Sequence, residues 1–72
     1  MPFQVVLQRG GQDLQTLYWK GSLGETQKLA RAIALELDAD LFRIIDLDGC
    51  GVEVYSEHHP FEDPGIQPLK GG

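Results

Sequence analysis

Hydrophobic and polar positions alternate at the start of the chain, where Phe3, Val5 and Leu7 are interleaved with Gln4, Val6 and Gln8. A period of two is that of a strand with one buried face. Arg9-Gly10-Gly11-Gln12-Asp13 interrupts it, and the adjacent glycines supply the positive φ of a hairpin turn. Leu14 to Trp19 reads as the returning strand. Its register depends on the loop. A three-residue loop, Gly10 to Gln12, sets Phe3 opposite Trp19, Val5 opposite Leu17 and Leu7 opposite Gln15. A two-residue loop, Gly10-Gly11, sets Phe3 opposite Tyr18, Val5 opposite Thr16 and Leu7 opposite Leu14. One slip exchanges the two faces of the strand. The first register is preferred because it buries Trp19, the largest apolar surface in the chain, and leaves Tyr18 outside.

The period changes after Ser22. Ser22 with Glu25 three residues later forms a capping box, in which hydroxyl and carboxylate each take a free backbone N–H. Leu29, Ile33 and Leu37 recur every four residues, flanked by Thr26 and Ala30. The spacing predicts a helix over Ser22 to Leu37 with that stripe on the core and Lys28 and Arg31 on the opposite side. Leu35 projects on the charged side, as an exposed leucine or a contact residue. Asp38 and Asp40 follow at the negative pole with no glycine cap, so the helix is expected to stop near Asp38.

Leu41 to Leu47 is rich in strand formers, Asp48-Gly49-Cys50-Gly51 carries an Asp-Gly turn signal, and Val52 to Tyr55 alternates again. This is a second hairpin whose register two candidate turns leave open. From His58 onward three of the four prolines occur and no periodicity remains. The fold class expected is α+β, a single β-β-α-β-β domain over residues 1–57 with a C-terminal tail over 58–72. The two hairpins form one sheet with the helix on one face. Leu29, Ile33 and Leu37 are expected to meet Phe3, Val5, Leu17, Trp19, Ile45, Val52 and Val54. Gln4, Val6, Gln8, Tyr18, Glu53 and Tyr55 are expected on the uncovered face.

Composition narrows the setting. The 72 residues make one small domain, and their one cysteine permits no internal disulfide. Neither a signal-peptide pattern nor an apolar run of membrane-spanning length is visible, so a cytoplasmic protein without membrane contact is expected. The formal net charge of −5 argues against nucleic-acid binding, which needs clustered Lys and Arg. The charge is uneven, with nine of the eleven acids falling after Leu35. That asymmetry fits a solvated acidic surface or the steering of a basic partner.

Candidate chemistry is sparse. Asp46, Asp48, Gly51 and Glu57 follow calcium-loop spacing, but Cys50 takes a ligand position and the flanks read as strands, so a β-turn accounts for the same residues. Cys50, His58 and His59, with Glu57 or Asp46, hold the atoms of a zinc site without matching a standard zinc spacing. A Cys50–histidine pair is the one nucleophile-and-base option, and nothing in the spacing joins them. Gly10-Gly11 opens no helix and makes no phosphate cradle. No catalytic residue, cofactor or metal is therefore expected.

The end of the chain, Pro68-Leu69-Lys70-Gly71-Gly72, after a strand–strand–helix–strand order, resembles the β-grasp carriers, the ubiquitin-like modifiers and sulfur carriers. The resemblance implies Gly71-Gly72 as the conjugated or thiolated end. The chain departs from that pattern just before it, where Pro64 and Pro68 stand in place of an apolar central strand. The preferred reading is a non-enzymatic protein-interaction module that uses an exposed sheet face or edge, with a second copy or another protein as partner. Tyr18, Leu35 and Tyr55 are the candidate contact residues. The diglycine carrier is the alternative, and a small metal-binding protein comes third.

Overall fold

The computed structural model describes residues 2–61. Strands β1 (Pro2–Arg9) and β2 (Gln12–Lys20) form the first hairpin. Helix α1 (Leu23–Leu37) crosses over to β3 (Leu41–Asp46), and β4 (Val52–His58) completes the second hairpin. The four strands make one antiparallel sheet in the order β2-β1-β3-β4. Helix α1 covers one face, lying over β1 and β3 and touching β2. The expected β-β-α-β-β architecture is the one observed.

The first hairpin combines the two registers weighed above. Phe3 pairs with Trp19, Val5 with Leu17 and Leu7 with Gln15, as a three-residue loop would give. The turn is nevertheless Gly10-Gly11, with Arg9 opposite Gln12 and both glycines at positive φ (60° and 81°). A β-bulge at Leu14 absorbs the difference, because it inserts one residue into β2 against Leu7 and Gln8.

The core is built from alternate positions of the two central strands. Phe3, Val5 and Leu7 of β1 and Phe42 and Ile44 of β3 are buried beneath Ala30 and Ala34 of the helix, with Ala39 at its end. The alanines let the helix lie close to the sheet. Its buried line runs through Thr26, Ala30 and Ala34, while Ile33 and Leu37 pack at the margin and Leu29 is only half-buried. The expected stripe is thus displaced toward the small residues. Ile45 belongs to the opposite face, because Ile44 is the β3 residue that points to the core.

Both helix ends are capped. Ser22 Oγ accepts from the Glu25 N–H at 3.1 Å, and Glu25 Oε1 accepts from the Ser22 N–H at 3.2 Å, completing the capping box. At the other end Asp38 takes the left-handed conformation (φ 60°) that glycine usually supplies, and the Ala39 N–H donates back to the Ala34 carbonyl at 2.8 Å. The two aspartates at this pole tie the first hairpin down. Asp40 Oδ2 accepts from the Gly10 N–H at 2.9 Å, and Asp38 Oδ2 faces Arg9 at 3.4 Å.

The second hairpin holds the main departure from expectation. A bulge at Val54 lets Ile44 face Tyr55 while Ile45 faces Glu53. Tyr55 therefore sits on the helix-covered face, 5.9 Å from Phe42 between ring centroids, and not on the uncovered one. Val52 and Val54 are 57% and 42% exposed and are not core residues, since α1 does not extend over β4. His58 closes β4, the His59 N–H donates to the Asp40 carbonyl at 2.8 Å, and Phe61 packs 5.5 Å from Phe42. The rest of the expected tail, residues 62–72, lies outside the described residues.

Candidate functional site

The uncovered face of the sheet is set by the alternation of its strands. Gln4, Val6 and Gln8 of β1 share it with Arg43 and Ile45 of β3, Thr16 and Tyr18 of β2, and Glu53 and Ser56 of β4. Val6, at the centre, is 8% exposed although no described element covers this face, and its neighbours in register are Thr16 and Arg43. Arg43 Nε donates to Glu53 Oε1 at 2.8 Å, which binds β3 to β4 on the same side. Tyr18 stands at the margin, opposite Gln4 and 66% exposed.

Beyond Tyr18 lies the β2 edge. Every residue of β2 except Leu17 is exposed, and Leu14 and Trp19 are 38% and 39% exposed. Trp19 keeps the side of the sheet expected for it but is only partly covered. Its indole lies beside Gly21, just ahead of the helix, where a Cβ on Gly21 would meet Trp19 Nε1 at 2.8 Å and Glu25 Oε1 at 2.6 Å. Glycine at this junction lets the strand pass into the helix beside the indole.

Three residues tie the helix to β4. Arg31, read from sequence as solvent-facing, is 6% exposed and reaches across to Glu57. Arg31 Nη2 donates to Glu57 Oε1 at 2.7 Å, and Nε donates to the same oxygen at 3.2 Å. The Tyr55 hydroxyl donates to Glu57 Oε1 at 2.8 Å. The hydrogen bond that Arg31 donates to the Glu57 carboxylate raises the Arg31 pKa against the opposing cost of burial. Burial raises the Tyr55 pKa first, and its bond to Glu57 adds to that. Arg31 thus stays charged and Tyr55 neutral across the ordinary pH range. The group acts as a clamp between α1 and the strand the helix does not cover. A charged residue at i+100° from the apolar stripe gives no sequence signal of burial when its partner lies 26 positions away.

The three candidate contact residues are not brought together. Tyr18 is on the uncovered face, Leu35 is 62% exposed on the solvent side of α1, and Tyr55 is in the clamp. Cys50 is exposed in the turn before β4 and His58 ends that strand, so roughly 20 Å of extended chain separates them. Among the described residues no group of three or more His, Cys, Asp or Glu side chains is placed to hold a metal. In the calcium-like stretch, Glu57 is engaged by Arg31, while Asp46 Oδ1 accepts from the Asp48 N–H at 2.9 Å and shapes the turn. Gly71 and Gly72 lie outside the described residues. The last described strand, β4, is an edge strand, whereas the β-grasp pattern places its final strand centrally. No described helix is long and apolar enough to cross a membrane.

No protein-family model matches the chain, and neither a curated protein nor a solved structure matches it.

Proposed function

We propose that the protein is a non-enzymatic interaction module that binds a protein partner along the β2 side of its sheet. One observation carries this reading: β2 is a nine-residue edge strand with eight exposed residues, among them Tyr18 and Trp19. An open edge offers backbone N–H and C=O groups to an added strand. Exposed aromatics beside it supply the side-chain area from which binding energy usually comes.

Native mass spectrometry of the untagged protein from its own host tests the proposal, combined with protease footprinting of the same sample. A stable added mass, with β2 shielded in the complex, agrees with it. A bare monomer, or a complex that leaves β2 as accessible as before, contradicts it.

A further inference from the structure

We infer that the partner at the β2 edge is a second copy of the chain, paired antiparallel through β2 to make a continuous eight-stranded sheet. The inference rests on the proposed function and names its partner.

The distribution of charge along β2 is the main argument. Asp13 and Lys20 stand near its two ends, and residues 14–19, Leu-Gln-Thr-Leu-Tyr-Trp, carry no charge. Asp13 pairs with Gln8 and Lys20 with Pro2, so both lie on the uncovered face of the sheet. An antiparallel copy reverses the order, bringing the acid of one chain toward the base of the other at both ends. A two-fold axis satisfies both pairs at once and closes the assembly at two copies.

The faces select the register. In a regular strand the axis must pass through a residue, so that opposed side chains share a face. An axis through Leu17 sets Leu17 against its own copy, Thr16 against Tyr18 and Gln15 against Trp19. Asp13 then falls one position from Lys20 of the other chain. An axis through Thr16 would oppose Asp13, beyond the Leu14 bulge, to Trp19, and these two lie on different faces because Asp13 pairs with Gln8 and Trp19 with Phe3. An axis through Tyr18 overlaps residues 16–20 alone and leaves Asp13 unmatched. Helix α1 is centred over β1 and β3 and also touches β2.

Sedimentation velocity of the full chain over a concentration series tests this, with a charge-swap cycle at Asp13→Lys and Lys20→Asp. Circular dichroism checks that each variant keeps its fold. The wild type should dimerise, each single swap should weaken the dimer roughly tenfold, and the double swap should restore most of the loss. Thr16→Lys, which places a charge in the uncharged stretch, should give a folded monomer. A monomer at every concentration overturns the inference. So does a dimer on which the two swaps act additively. If the pure protein is monomeric but leaves its host bound to a different chain at β2, self-pairing fails while the interaction module stands. If it is bare in both, both fail.

Discussion

Strands β2 and β4 occupy the two edges of one sheet, and they are built in opposite ways. Edge strand β4 is guarded. It has a bulge at Val54, carries Glu53 and Glu57 with His58 at its end, and is fastened to the helix by the Arg31–Glu57–Tyr55 clamp. Bulges and charges of this kind interrupt the flat row of backbone groups that a foreign strand could join. Edge strand β2 has its bulge beside the turn, at Leu14, so Gln15 to Lys20 runs regular and uncharged up to its final lysine. Among the described residues, the same sheet therefore blocks one side and leaves the other open. An unguarded edge is where the proposed partner strand would pair.

The comparison can be broken first at the clamp. Arg31→Met leaves the Glu57 carboxylate buried without its guanidinium and should destabilise the fold by about 3–5 kcal/mol, read from urea denaturation. Replacing Arg31 and Glu57 together by methionine should recover much of that loss. Tyr55→Phe, which removes one hydrogen bond to a charged group, should cost roughly 1.5–3 kcal/mol. The same hydroxyl sets an alkaline dependence. The Tyr55 pKa in the folded protein is raised above its unfolded value of about 10. Its contribution is therefore complete below pH ~10 and declines as pH rises from there through the folded value. Thermal melts of wild type and Tyr55→Phe should converge across that window.

The next effect lies on the β2 side, where the capping box fixes the strand-to-helix junction. Ser22→Ala should cost about 1 kcal/mol in the same denaturation assay, without altering association. The smallest effect is expected at Arg43, whose ion pair with Glu53 is exposed on both sides. Arg43→Ala should change stability by less than about 1 kcal/mol, and added salt should shrink the difference.

Those magnitudes follow how visible each feature is in the chain. Elements defined by local chemistry were legible: the capping box at Ser22 and Glu25, the two alternating hairpins, and the pairing of Phe3 with Trp19. Features made by one residue too many were not. The Leu14 bulge lets a two-glycine turn coexist with the register of a longer loop, and periodicity treats the two as alternatives. The Val54 bulge moved Tyr55 from the expected contact surface to the helix-covered side, and Val52 is exposed because α1 does not extend over β4. Arg31 was misplaced for a different reason, since a cation beside an apolar stripe reads as solvated until a distant carboxylate is brought against it. Of the candidate contact residues, Tyr18 and Leu35 are exposed as read. The β2 edge itself had a sequence signal, the uncharged run from Leu14 to Trp19 between Asp13 and Lys20, which alternation alone does not single out.

The contrast between the edges is tested most directly by amide hydrogen exchange of the intact protein at two concentrations, one below and one above its association midpoint. The account predicts that amides of Gln15 to Trp19 gain protection as concentration rises, while those of Val52 to Ser56 exchange at an unchanged rate. Concentration-dependent protection in β4, or none in β2 at any concentration, would contradict it.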